Sequence, residues 1–323
     1  MKLVVLIPAF NEAKTITQVV QSIPRTLPGI SSMRVAVIDD GSVDRTRELA
    51  EKAGAMVVSH PENRGVGAAF ATGLKTALGL GADLIVNIDA DGQFDPADIP
   101  KLLAPILAGE AEFVTASRFA DPALMPRMPL AKKYGNFMVR WIINWLTNRQ
   151  FTDVSCGFRA YTRETALKLN LFGSFTYTQE TFLNLVQKGI RIKEVPLKVR
   201  GEREFGKSRV AGSVLRYGLK SGSIILLAMR DIKPLSFFGW LGFAVILLGA
   251  AALGFVFAHW LKTAMTTPYQ SVILIGVMLL IVGFLLIVMA LIAEMLGRIR
   301  KMQEEILFHL RDRHYRELEK EQK

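Results

Sequence analysis

Residues 235–260 and 272–292 contain no Asp, Glu, Lys or Arg. At about 1.5 Å of helical rise per residue, each stretch can cross a hydrocarbon core of roughly 30 Å. Helices of soluble proteins seldom run that far without a charged face. The pattern predicts two transmembrane helices. The link between them, 261–271, holds Lys262 as its one fixed charge, whereas Arg230 and Lys233 precede the pair and Arg298, Arg300 and Lys301 follow it. By the positive-inside rule both ends of the pair are cytoplasmic and the link faces outward, which places the protein in the cytoplasmic membrane as a two-span protein. The opening MKLVVLIPAF is too short an apolar run for a signal peptide and leads into Asn11-Glu12, not a small-residue cleavage site. A single cysteine, Cys156, permits no internal disulfide, as suits a cytoplasmic catalytic part.

The net charge of +11 is localised. Residues 127–149 hold five basic and no acidic residues, and 188–233 hold twelve basic against four acidic. Basic segments beside membrane helices match anionic lipid headgroups or a phosphorylated lipid. Nucleic acid is the competing partner for such charge, but the chain has no nucleic-acid-binding motif and the anchor argues against it.

The first half alternates strand and helix signals. Strands are expected at 3–7, 35–38, 56–59, 84–88 and 113–116, and helices at 11–23 (with Asn11 as N-cap), up to 53, 65–80 and 96–107. Strands separated by helices of this length imply an α/β fold with a mostly parallel sheet. Ligands of such sheets bind beyond the carboxyl ends of the strands, where the polar motifs fall. Pro8-Ala9-Phe10-Asn11-Glu12, Asp39-Asp40-Gly41-Ser42 and Asp89-Ala90-Asp91-Gly92-Gln93 each follow a strand. Asp and Gly are ordinary turn residues, so D-x-D alone also fits a polar turn. Three acidic motifs on one edge favour a nucleotide site in which Asp89 and Asp91 hold Mg²⁺ or Mn²⁺, cations that take one or two carboxylates plus substrate phosphates.

Two other glycine patterns compete. Gly65-Val66-Gly67 lacks the third glycine of a dinucleotide fingerprint, Phe70 standing in its place. Gly201-Glu202-Arg203-Glu204-Phe205-Gly206-Lys207-Ser208 matches the P-loop pattern literally, with 195–199 as a preceding strand. A P-loop opens an α/β core, however, and here the apolar segments begin before further strands could follow. A basic loop that closes on the phosphates of a bound nucleotide is the better account.

In order, PAFNE (8–12), DDGS (39–42), NRGVGAA (63–69), DADGQ (89–93), SRF (117–119), SCGFRAY (155–161) and REFGKSR (203–209) resemble the family 2 glycosyltransferases of GT-A fold, dolichol-phosphate mannose synthase type. The resemblance spans residues 1–209. It implies a cytoplasmic GT-A domain at 1–209, an amphipathic juxtamembrane helix at 210–233, a transmembrane hairpin at 234–293 and a cytoplasmic C-terminal helix at 294–323. It also implies inverting transfer of one sugar from a GDP- or UDP-hexose to a polyprenyl phosphate, undecaprenyl or dolichyl.

By the same resemblance Pro8, Phe10 and Glu12 shape the base and ribose pocket, lined by Val37 and Asp39. Asp89, Asp91 and Gln93 hold the divalent cation against the diphosphate, Ala90 lies between the carboxylates, and Arg203 and Arg209 add positive charge to the phosphates. Arg118, one of Lys132 or Lys133, and Asn136 hold the acceptor phosphate. Family members tend to have arginine where a lysine stands here, so a point charge replaces a bidentate fork. Asp153 is the base or the acceptor-orienting group; the alternative is a turn cap before Gly157. A lipid phosphate is already anionic, so a strong base is not obligatory. Together Asp91, Asp153 and Arg118 form the expected catalytic set.

Phe137, Trp141, Ile142 and Trp145 share one helical face with Arg140 nearby, as a headgroup-level helix requires; a core-facing helix is the alternative. Residues 210–229 are similarly apolar with basic punctuation and would lie along the bilayer. The tail after Met295 mixes eight basic and six acidic residues and reads as a solvated helix. Self-association in the membrane is open to a chain with two spans. Two other functions fit the pattern less well. A processive polysaccharide synthase needs Q-x-x-R-W, which Phe137-Met138-Val139-Arg140-Trp141 lacks, and more helices for a channel. A non-catalytic nucleotide-binding scaffold has no use for DADGQ, Arg118 and Arg203 together.

Overall fold

The computed structural model describes residues 1–126, 128, 130–170, 177–200, 230 and 233–321, with backbone alone at 130–132. Arg203, Arg209, the P-loop-like segment and all of the expected juxtamembrane helix but Arg230 and Lys233 therefore lie outside the described residues. The chain divides into two units, Met1–Tyr217 with Glu305–Lys323, and Gly218–Glu304.

In the first unit the apolar strands read as continuous runs because both faces are covered. β1 (Lys2–Ala9) sends Leu3, Val5 and Ile7 into one core cluster and Val4 and Leu6 into another. It joins β2 (Ser32–Asp39), β3 (Met56–Ser59), β4 (Leu84–Asn87), β5 (Phe113–Ser117), β6 (Arg159–Thr162) and β7 (Ile192–Pro196) in one sheet. The order is β3-β2-β1-β4-β6-β5-β7. β6 runs antiparallel to β4 and β5, and every other pairing is parallel.

The first cluster is closed by α1 (Ile16–Gln21), α2 (Thr46–Lys52) and α4 (Ile99–Leu107), through Val19, Ala50, Leu102 and Leu103 among others. The second is closed by α3 (Val66–Gly79), α5 (Leu130–Thr147), α6 (Arg163–Lys168) and α7 (Tyr177–Gln187), through Phe70, Val139, Ile143, Leu167 and Phe182. The five expected strands are present. β6 was not anticipated, and β7 starts three residues before the strand expected at 195–199. Asn11 is not an N-cap. It adopts φ 53°, its N–H donates to Ser42 Oγ (2.8 Å) and its side-chain oxygen accepts from Val43 N–H (2.8 Å), so it ties two loops together and α1 begins only at Ile16.

The second unit is built on α8 (Pro234–Thr263) and the first part of α9 (Gln270–Glu321), two helices long and apolar enough to cross a membrane. Glycines of the two helices face each other at their contact. A Cβ on Gly242 would lie 2.8 Å from Gly283 O, and one on Gly249 2.9 Å from Gly276 O. Glycines at this spacing let two helix backbones approach closely, as apolar helices without a hydrophobic drive to associate require.

α9 continues unbroken to Glu321, and its last part belongs to the first unit. Phe308 and Tyr315 pack against the second core cluster. Arg311 Nη1 donates to Leu167 O (3.2 Å), Leu169 O (3.1 Å) and Asn170 Oδ1 (2.9 Å), and Arg163 pairs with Glu319. The tail expected to be solvated is a packed component of the α/β unit, because its aromatic residues fall on one face among the charges.

Candidate active site

The parallel strands bring their ends together. Ala9 pairs with Asp39, and Asp39 with Ser59, so the loops after β1, β2 and β3 leave one edge in register. The first two are stitched by the Asn11 bonds and by Glu12 N–H donating to Thr46 Oγ1 (2.8 Å). Asp39 is buried, and its Oδ1 accepts from Ser42 N–H (3.1 Å). Pro8 is buried within β1, whereas Phe10 and Glu12 are half-buried at the edge. Val37 is fully buried in the first core cluster. The expected lining residue thus packs into the core, because its strand position points it there.

The DADGQ loop follows β4 and Ile88. Ala90 is buried, and its carbonyl accepts from Thr15 Oγ1 (2.7 Å), which anchors the loop to the start of α1. Asp91 is buried, with Oδ1 accepting from Gln93 N–H (3.0 Å). Gln93 donates from its side-chain nitrogen to Arg200 O (3.0 Å), and Arg200 N–H donates back to Gln93 O (3.0 Å). The Asp89 carboxylate rests against Gly157, where a Cβ would lie 2.5 Å from Oδ2 and 2.8 Å from Oδ1. Gly157 thus forms a cradle that only a residue without a side chain can supply. No group of three or more His, Cys, Asp or Glu suited to a metal forms among the described residues. Two carboxylates at a strand end fit a hard cation that takes its other ligands from phosphates and water.

Arg118 and Asn136, two of the residues expected to hold the acceptor, meet Asp153 at a second cluster. Arg118 Nε lies 2.6 Å from Asp153 Oδ2 and Nη2 2.9 Å from Oδ1, a bidentate pair, and Nη2 also donates to Ser155 Oγ (2.7 Å). Ser155 Oγ donates to Asn136 Oδ1 (3.2 Å). Asn136 Nδ2 is buried and has no partner among the described residues. Burial pushes the Asp153 carboxyl up, but the Arg118 charge and hydrogen bonds, with the N–H groups of Ser155 and Arg118, outweigh it and hold the pKa below the usual range. A carboxylate so held is a poor proton acceptor, which favours its orienting role over a base. Lys133 is half-buried on α5, and the Lys132 side chain lies outside the described residues.

Glu194 had no signal in the sequence. Glu194 on β7 accepts from Thr152 N–H, Thr152 Oγ1 and Asp153 N–H (2.8–3.0 Å), fixing the turn that presents Asp153. Burial raises its carboxyl pKa against those bonds. Cys156 is fully buried, and burial pushes its thiol up to about 12, so it is no nucleophile.

Strand-end loops around a D-x-D with Asp91 buried and Asp89 half-buried, on this sheet, define a nucleotide-sugar transferase of GT-A fold. The chain belongs to glycosyl transferase family 2, whose family model matches residues 4–169. It is 36% identical over 214 residues to the UDP-N-acetylglucosamine–dolichyl-phosphate N-acetylglucosaminyltransferase of Methanococcus voltae, covering 60% of this chain and 83% of that one. It is 30% identical over 312 residues to glycosyltransferase AglJ of Haloferax volcanii, covering 93% and 97%. Among solved structures it is similar to glucosyl-3-phosphoglycerate synthase of Mycobacterium tuberculosis with Mn²⁺ and UDP, at TM-score 0.55 and 24% identity over 71% of this chain and 79% of that one. That likeness concerns the fold.

Proposed function

We propose that this glycosyltransferase moves a single sugar, with inversion, from a GDP- or UDP-sugar to the phosphate of a polyprenyl lipid at the cytoplasmic face of the membrane. The observation that carries the reading is α5. One side of this helix buries Val139, Ile143 and Leu146, and another exposes Tyr134, Phe137, Met138, Trp141 and Trp145. The exposed side is an aromatic belt suited to lipid headgroups, with Arg140 over the Phe137 ring. The same helix carries Asn136 into hydrogen-bond contact with Ser155, beside Arg118 and Asp153. A phosphate reaching this cluster from a bilayer would meet a guanidinium and an orphan amide donor. The dolichyl-phosphate acceptor in the name of the Methanococcus relative supports the same class.

On the donor side Asp39, Phe10 and Glu12 frame the nucleoside, and Asp89, Asp91 and Gln93 would hold a divalent cation. When bound, that cation supplies Lewis-acid stabilisation of the leaving diphosphate. Asp153 keeps Arg118 in one orientation so that its charge is fixed before the acceptor arrives, which spares reorganisation during transfer. The two apolar helices anchor the enzyme, and the basic segments meet anionic headgroups.

Full-length protein in nanodiscs, given Mn²⁺, labelled UDP- and GDP-sugars and a short polyprenyl phosphate, tests the reading. One sugar per lipid phosphate is the expected product. Hydrolysis alone, or a glycan that lengthens with time, would overturn it.

A further inference from the structure

The third strand-end loop is locked to the second by a buried acid–imidazole pair. Asp40 and His60 are both buried, with Asp40 Oδ1 2.7 Å from His60 Nδ1. An ionised carboxylate only accepts, so Nδ1 carries the hydrogen. His60 Nε2 lies 2.9 Å from Thr72 Oγ1 on α3. The remaining capacity of Asp40 takes Arg64 N–H on Oδ1 (3.0 Å) and Gly65 N–H on Oδ2 (2.8 Å), the two donors that lead into α3. Gly65 itself sits at φ 92°, a conformation glycine tolerates. Gly41 is pressed against the same turn, since a Cβ there would lie 2.5 Å from the Glu62 carbonyl carbon.

These bonds bear on Asp39. Its carbonyl accepts from His60 N–H (2.8 Å), its carboxylate is fixed by Ser42, and its peptide is shared with Asp40. His60 therefore grips both sides of the Asp39–Asp40 peptide, one by backbone and one by side chain. Among the described residues, no bond of this network reaches the cluster of Arg118, Asp153 and Asn136.

We propose that Asp40 and His60 are positioning residues for the donor nucleotide: the Nδ1–H of His60, given to Asp40, holds the turn at 62–65 against Gly41 and thereby sets the Asp39 carboxylate in the nucleoside pocket. This rests on the nucleotide-sugar reading above. The clamp acts on donor binding alone, so its loss raises the donor KM and leaves the acceptor KM unchanged.

The test compares His60→Ala, His60→Asn and His60→Gln in the full-length enzyme. It reads UDP and GDP affinity with Mn²⁺ by calorimetry, and both KM values by lipid-phosphate transfer. The asparagine amide nitrogen falls near the place of Nδ1, and that of glutamine near Nε2. Expected are a donor KM and nucleotide Kd about ten-fold higher in His60→Ala and His60→Gln, recovered to within about two-fold in His60→Asn. Should His60→Ala fail to fold, the Asn and Gln pair decides the matter. Equal donor KM in the Asn and Gln variants, or an acceptor KM that rises with the donor KM, overturns the clamp while leaving the transferase reading intact. A wild-type enzyme that binds neither nucleotide overturns both.

Discussion

Arg118 and Asp153 face each other as a two-point pair, Nε to Oδ2 at 2.6 Å and Nη2 to Oδ1 at 2.9 Å, with the carboxylate side chain fully buried and the guanidinium 12% exposed. The cation thus reaches solvent while its counter-charge stays dry. Asp153→Asn would leave the buried guanidinium without its partner, at a cost of about 3–5 kcal/mol by chemical denaturation. Because the folded pKa of Asp153 is depressed, its stabilisation is complete above the unfolded value of about 4 and is lost as pH falls through the lower folded value. The wild type should therefore lose stability in acid more steeply than Asp153→Asn. A kcat/KM profile with an ionisation near neutrality that disappears in Asp153→Asn would instead make Asp153 a general base.

Gly157→Ala places a methyl group 2.5 Å from Asp89 Oδ2. Gly157 is buried on the loop into β6, but the atoms nearest the added methyl group all belong to the Asp89 side chain, so the fold should survive while the carboxylate moves. The expected result is a Mn²⁺ requirement for nucleotide binding raised by about ten-fold or more, with thermal unfolding little changed. Unaltered Mn²⁺ dependence would place the cation away from Asp89.

Asn136→Ala removes the orphan donor Nδ2 at the acceptor cluster. Its loss should raise the polyprenyl-phosphate KM about ten-fold and leave the donor KM unchanged, measured with the same labelled donor. A change in the donor KM alone would assign Asn136 to the other substrate.

Arg311→Ala deletes a guanidinium that serves two carbonyls and the Asn170 side chain. Charged hydrogen bonds of this kind contribute about 1.5–3 kcal/mol, so the catalytic unit should unfold at lower temperature in detergent. An unshifted transition would mean that the tail adds nothing to the fold.

Gly249→Val drives a branched side chain into Gly276 O, 2.9 Å from its Cβ. Overpacking at a tight contact costs about 1–3 kcal/mol, which should separate α8 from α9 in a cysteine cross-linking assay. The α/β unit should keep its melting temperature.

Asp39 and Asp91 were legible because a short apolar strand must end in polar residues, and βαβ alternation sends those ends to one edge. β6 was not. Arg159 stands at its start, and a charged residue reads as surface. Here the side chain is fully buried, donates to Cys156 O and Thr178 O, and lies over the Phe113 and Phe182 rings. Asp153 was singled out as a base or orienting group, but its pairing with Arg118 spans 35 positions and no local pattern encodes it. The pairing of His60 with Asp40 was invisible for the same reason. Val37 was expected in the pocket by the resemblance alone; its burial in the first core cluster follows from its place inside β2. The exposed aromatic side of α5 was readable from its 3.6-residue spacing.

The part of α9 that packs under α6 has a consequence for the order in which the enzyme is made. Phe308, Arg311 and Tyr315 leave the ribosome only after α8 and the apolar part of α9 have been synthesised. Until then the carbonyls of Leu167 and Leu169 and the apolar surface around them lack their cover. The transferase thus becomes complete only once its own hairpin exists, so a nascent chain stalled before the hairpin would hold an unfinished enzyme.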